Sequence, residues 1–448
     1  MLKQREQFTS RLGFVLAAAG SAVGLGNIWG FPTNTANGGG AAFVLIYLVL
    51  AFTLAYPALM AELTIGRHTR ANIVTALQGL SPRPGVRLTG RLVGSYGILV
   101  ASLILCFYSL VAGWMAANLA SSGAALAGLD RPAAWLARDG VPRNLLFAGL
   151  FSLITAGVVS EGVKHGIERW SSRLMPTLVA LLVALIGYVL TRDGAIAGLT
   201  VYLLPDFARI SSTLVISALG QAFFSLSLGV GTMLVYGSYI REGDSLPATG
   251  AIVTLVDIGV AFLAGLLIIP AMFAGRELGV EIYANGQLQA GPDLIFRVLP
   301  ALFDSMGPLG NGVATAFFAL MTIAALTSSI SMLEVPVALA TETTSLNRKT
   351  AAWLVGGIIF AGTATIAVFF DPLFGAVVTL TTEFSQPLLG IALCLFAGWA
   401  FNRNALLEEI RAGNPGAQKT LFWKVWPTYV RYFCPLLIAT VFVQAIFL

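Results

Sequence analysis

The chemistry this sequence can offer is concentrated in two short glycine-bearing runs and a few isolated oxygens. GSAVGLGN (20–27) and FFSLSLGVG (223–231) interrupt otherwise apolar stretches, with Asn27 in the first and Ser225 and Ser227 in the second. Glycines in the middle of a membrane-length helix permit an unwound turn, which leaves backbone groups unpaired unless protein or a polar cavity meets them. Freed N–H groups at a helix end suit a carboxylate. Freed carbonyls, with hydroxyls, suit a hard cation such as sodium. A third run, TSS (327–329), is weak alone, because Ser and Thr in helices often bond back to the carbonyl four residues earlier. Asp257 and Glu334 are acids inside apolar runs, and an intramembrane carboxylate is a functional candidate by default. The alternative for the glycines is close helix packing, Gly20 with Gly24 or Gly26 with Gly30. That reading explains neither Asn27 nor the two serines.

The elements that must position these residues are membrane helices. The chain is 57% hydrophobic and only 10% charged, too few charges to cover a water-facing surface, which takes roughly 25%. A span needs about 20 apolar residues. Eleven such runs are legible, at 11–36, 41–65, 93–121, 144–161, 173–191, 211–240, 247–274, 310–340, 351–369, 373–400 and 427–447. The expected fold is an all-α integral membrane protein of eleven transmembrane helices. The polar opening MLKQREQFTS carries no cleavable signal. Of the 26 Lys and Arg, seven (Arg131, Arg138, Arg143, Arg192, Arg209, Arg276, Arg297) fall on one side, which leaves the majority on the side of the N-terminus. Positive-inside bias then places the N-terminus in the cytoplasm and the C-terminus outside. The net charge of +5 is therefore a topology signal, and no nucleic-acid partner is expected. Cys106, Cys394 and Cys434 lie in apolar runs, which argues against disulfides. The interrupted spans, first and sixth, each begin a set of five helices. An odd number per set inverts the second against the first, so a 5+5 inverted repeat is expected, with helices 1 and 6 unwound at the midplane and a site between them. Residues 1–10 form a cytoplasmic gate segment, 11–191 the first repeat, 211–400 the second and 427–448 the eleventh helix.

At this point the residues become recognisable. REQFTSRLGFVLAAAGSAVGLGNIWGFP followed by NGGGAAF resembles the opening of the neurotransmitter:sodium symporter family, particularly its bacterial amino-acid transporters. GIERW, MPTL, GQAFFSLSLGVG and LTSSIS continue the likeness over nearly the whole chain. The resemblance implies sodium-coupled uptake of a small amino acid across the bacterial inner membrane by alternating access.

By that resemblance, Leu25 and Gly26 offer N–H groups and Tyr108 a hydroxyl to the substrate carboxylate. Carbonyls of Ala22, Phe224 and Ser225 and the Ser227 hydroxyl meet its amine. Gly24 stands where monoamine carriers of the family have aspartate, so the ligand must bring its own anion. Ile104, Phe224, Val230 and Met332 line the side-chain pocket. They favour a large aliphatic or aromatic neutral side chain, Val230 making room where a bacterial leucine carrier has phenylalanine. Two sodium ions are implied. The second site matches Gly20, Val23, Ala324, Thr327 and Ser328. The first matches Ala22, Asn27 and Ser225, but the family asparagine falls on Val256. Either the register shifts by one and Asp257 takes its place, or that site is incomplete.

The resemblance also bears on chloride and on the gates. Val260 is neither the serine of chloride-dependent relatives nor the glutamate of independent ones, while Tyr47, Gln221 and Ser225 remain from that constellation. An ionised Asp257 would substitute for the anion, so chloride is not expected to be required. On the cytoplasmic side Arg5 should pair with Glu342, near Phe8 and Tyr239. On the outer side Gly30 replaces the usual arginine and Glu383 is the nearest acid, so the barrier is expected to be hydrophobic, with Tyr108 and Phe224. His68 and His165 read as solvated loop residues and 403–424 as a loop. Beyond the substrate and the lipid bilayer no partner is expected, and the chain is a monomer or loose homodimer. A sensor that binds an amino acid without carrying it, and proton coupling through Asp257 or Glu334, stay open. An enzyme is not expected, since no metal cluster or nucleophile–base pair is legible.

Overall fold

The computed structural model describes residues 5–284, 287–288, 299–306 and 309–447. Residues 1–4 of the expected gate segment and Arg297 lie outside that range. Among the described residues the fold is helical apart from a hairpin pairing Tyr283–Ala284 with Gln287–Leu288. Among the described residues nine helices are long and apolar enough to cross a membrane: Ala41–Thr69, Pro84–Leu126, Val141–Ser160, Val163–Val189, Leu246–Glu277, Gly310–Thr343, Arg348–Val368, Phe370–Ala400 and Leu421–Val443. Each coincides with an expected run, often extended beyond it. The first expected span is a bent pair, Arg11–Ala22 and Gly26–Asn37, turning by 55°. The sixth is Ser212–Ser225 followed by the short helix Thr232–Gly237.

Both interruptions follow from local chemistry. Ser10 caps the first helix, its hydroxyl accepting from Gly13 N at 2.9 Å. That helix ends where Val23 turns extended (φ −70°, ψ 102°). In the sixth element Ser227, Gly229 and Gly231 adopt φ of 52°, 80° and 79°, a left-handed succession that only glycine accepts without cost. The freed backbone groups find side-chain partners, as they must in an apolar medium. The Glu62 carboxylate accepts from Gly229 N at 2.8 Å, Gln386 Nε2 donates to Leu228 O at 2.8 Å, and Thr232 Oγ1 donates to Ser227 O at 3.2 Å.

Two local expectations are corrected. The segment read as a loop contains the helix Arg403–Arg411, which Asn402 caps through Asn404 N and Ala405 N, and a further helix, Leu421–Thr428. Its charged residues are a solvated helix face, which composition alone does not separate from a loop. His68 is also no loop residue. It occupies the last turn of Tyr56–Thr69, with Nδ1 3.2 Å from Glu409 Oε1. Burial pushes the Glu409 carboxyl up, but hydrogen bonds from His68 and Arg67 outweigh it and hold the group below the usual carboxylate range.

Candidate functional site

The two breaks face each other across a cavity of about 350 Å³. The Ser227 hydroxyl of one donates to the Ser21 carbonyl of the other at 3.1 Å. Ala22, Gly24, Leu25, Gly26, Ile104, Tyr108, Phe224, Ser225, Ser227, Val230 and Met332 all line the cavity. Every residue expected to meet substrate is thus brought together. Leu25 N donates to the Tyr108 hydroxyl at 3.4 Å, a long contact that leaves both groups available to an incoming carboxylate. Gly24 is glycine for a steric reason as well as an electrostatic one: a Cβ there would stand 2.6 Å from Ser328 Oγ and 3.0 Å from the Tyr108 hydroxyl.

On one flank, Ser328 Oγ lies 3.4 Å from Gly20 O, 3.3 Å from Ser21 O and 3.3 Å from Val23 O. A hydroxyl has one hydrogen to give, so three carbonyls converging on it form an oxygen cluster in surplus of donors. Thr327 lies beside the cluster, its hydroxyl bonded back within its own helix. A Cβ on Gly20 would be 3.2 Å from the threonine Cβ, and Thr327 Oγ1 donates to Ala324 O at 3.0 Å. The five residues expected at the second sodium position are therefore in one neighbourhood, and hydroxyl and carbonyl oxygens suit a hard cation.

On the other flank, Asp257 rather than Val256 turns toward the first span. Asn27 Nδ2 donates to Asp257 Oδ1 at 2.7 Å and contacts Ser225 Oγ at 2.9 Å, while Ser225 Oγ donates to Asp257 Oδ2 at 2.7 Å. All three are buried. These carboxylate partners are neutral, so they leave its charge uncompensated, and an uncompensated charge at this depth is costly. Tyr47 reaches Ser225 Oγ at 3.3 Å. Gln221 is engaged elsewhere, donating to Gly26 O at 2.9 Å and accepting from Asn34 Nδ2 at 2.8 Å.

Toward the N-terminal end the cavity is shut. Arg5 pairs with Glu342, donates to Ser238 Oγ at 2.8 Å and lies 4.7 Å from the Tyr239 ring centre. Phe8, 2% exposed, packs edge-on against Phe14, Tyr236 and Tyr239. Behind them Glu334, expected as a buried acid, is paired with Arg348 (2.5 Å) and accepts from the Tyr239 hydroxyl (2.5 Å). Toward the other end Phe224 remains 40% exposed, so the aromatic lid is open. Glu383 faces away, exposed, with Thr379 as its contact at 3.5 Å.

Sequence reasoning missed several lining residues: Phe374, Val378, Thr382 and Gln386 on the tenth span, Phe107 and Val111 on the third, and Trp29 beside the first break. Phe374 to Gln386 recur every four residues, one helix face grading from aromatic to amide, and that stripe was the available signal.

A bent first helix, an opened sixth and a central cavity flanked by oxygen clusters are the working parts of a membrane transporter. The family model for the sodium:neurotransmitter symporter family matches residues 5–130 and 136–448, and the chain belongs to that family. It is 35% identical to the uncharacterized sodium-dependent transporter YhdH of Bacillus subtilis, over 98% of this chain and 97% of the relative. An uncharacterized sodium-dependent transporter of Haemophilus influenzae is 30% identical over 99% of both. The crystal structure of MhsT in complex with L-phenylalanine matches with a TM-score of 0.82 and 36% identity, covering 99% of this chain and 100% of that one.

Proposed function

We propose that the protein is a symporter that takes up a neutral, hydrophobic L-amino acid with two sodium ions by alternating access. The observation that carries this reading is the cavity between the two breaks, apolar along Ile104, Val230 and Met332 and polar where Leu25 N meets Tyr108. A zwitterion with an apolar side chain matches both halves, and no ionisable group lines the side-chain region to pair a charged one. The L-phenylalanine held by MhsT, a solved relative of this fold, is a ligand of the same class.

In this reading the Ser328 cluster holds one sodium, and Asn27, Ser225 and Asp257, with the carbonyl of Ala22, hold the other. The Asp257 charge stands in for an anion, so chloride is not required. A proton on Asp257 is the second reading, favoured by the same uncompensated carboxylate. Residues 11–191 and 211–400 act as inverted halves. With the N-terminus in the cytoplasm, the closed Arg5–Glu342 side faces inward and the cavity faces out. Uptake of L-phenylalanine and L-leucine into liposomes tests the proposal: accumulation should require inward sodium, persist when gluconate replaces chloride, and fall away with collapse of the sodium gradient at fixed pH. Accumulation driven by a pH gradient alone would decide for the proton.

A further inference from the structure

A second cavity, about 480 Å³, lies apart from the transport site. Trp114 and Asn118 of the third span form one wall, Phe370 at the start of the tenth another, and Asp139, Arg143 and Asn144 at the start of the fourth close it. Arg143 is 5% exposed, yet among the described residues it makes a single long contact, Nη1 to Asp139 Oδ1 at 3.4 Å, and its Nε has no acceptor there. Asn144 Nδ2 donates to the same Asp139 oxygen at 3.0 Å, while Asn144 Oδ1 has no donor among the described residues. Buried polar groups are normally paired. An unmatched donor on a guanidinium beside an unmatched acceptor on an amide, with a carboxylate at the mouth, calls for an occupant bearing an oxyanion and an ammonium together. Trp114 and Phe370 add aromatic lining to the cavity.

We propose that this cavity binds a small zwitterion, its oxyanion on Arg143 and its ammonium between Asn144 Oδ1 and Asp139. Two sources share that chemistry: a free amino acid and the ethanolamine headgroup of a phospholipid. The site is coupled to the transport cavity by contact. Phe370 stacks on Phe374 (ring centres 4.7 Å, 24°), Trp114 packs 5.8 Å from both, and Phe374 lines the transport site.

The test compares wild type with Arg143→Gln and Asn144→Ala. In one arm, L-phenylalanine binding is measured in detergent without sodium. In the other, thermal stability is compared in nanodiscs of phosphatidylethanolamine and of phosphatidylglycerol. A free amino acid as occupant gives sodium-independent binding that weakens about tenfold or more in both variants, the loss of one charge-assisted contact. A headgroup gives an ethanolamine-specific rise in melting temperature that the variants lack. The proposal is overturned if the variants match wild type in both arms. Sodium-dependent binding of L-phenylalanine, retained in all three proteins, reports the transport site separately. If Arg143→Gln does not fold, Asn144→Ala carries the same comparison.

Discussion

At the residue scale, function rests on oxygens that outnumber their donors. Ser328 faces three carbonyls with one hydrogen to give, and the Ser227 hydroxyl meets only one of them, so carbonyl oxygens there outnumber the hydroxyl donors. Thr327→Ala is expected to shift the sodium dependence of amino-acid binding to higher concentration, and unchanged dependence would remove Thr327 from the site. Tyr108→Phe deletes one hydroxyl aimed at a carboxylate and should weaken substrate binding by about 1.5–3 kcal/mol in equilibrium binding, with little effect on sodium binding alone. These residues were legible through the family resemblance, since a Thr-Ser-Ser run or a tyrosine in an apolar helix is a weak signal alone. Phe374, Val378, Thr382 and Gln386 were missed despite their four-residue spacing, because such a stripe reads the same whether it packs against protein or walls a cavity. Asp257 was legible as an oddity, an acid in an apolar run. Its contact with Asn27 and Ser225 needed the structure.

At the element scale, the interrupted helices hold their shape through side chains donated by their neighbours. Gly229 has φ of 80°, and a Cβ there would stand 2.3 Å from Gln386 O. Gly229→Ala therefore meets a backbone strain of about 1–2 kcal/mol and a clash with backbone. The expected outcome is a lower melting temperature together with lost amino-acid binding. Glu62 was overlooked in the sequence, since an acid near the end of an apolar run looks like a boundary residue. The structure buries it and gives it the freed N–H of Gly229. The bend of the first span was expected from its glycines, but its 55° angle was not, because an angle is set by what packs on both sides.

At the scale of the whole molecule, one end of the cavity is closed by charge and aromatic packing while the other stays open. Arg5 joins the N-terminal segment to Glu342, Ser238 and Tyr239 at once. Asn72 holds the far oxygen of Glu342 at 2.8 Å. Arg5→Ala is expected to shift the population toward a state open on that side. A cysteine placed at Ser21 in a Cys106→Ala, Cys394→Ala and Cys434→Ala background would then label faster from that side, with transport reduced; unchanged labelling would count against the gate. An exposed ion pair contributes under about 1 kcal/mol. A gate built from it must therefore draw on the buried Phe8 packing as well.

The sequence by itself determined that the chain spans a membrane, where most of its helices run and which two spans glycines interrupt. Those are consequences of composition, period and local backbone freedom, and they need no knowledge of neighbours. Only the tertiary structure decided which face of each helix meets the cavity, that Asp257 closes on Asn27, that Glu334 is neutralised by Arg348, and that Arg143 and Asn144 are left with unmatched polar atoms. Each of these depends on groups far apart in the chain arriving within hydrogen-bond reach. In an apolar medium such pairings are set by where a buried charge can find a partner, not by the order of residues.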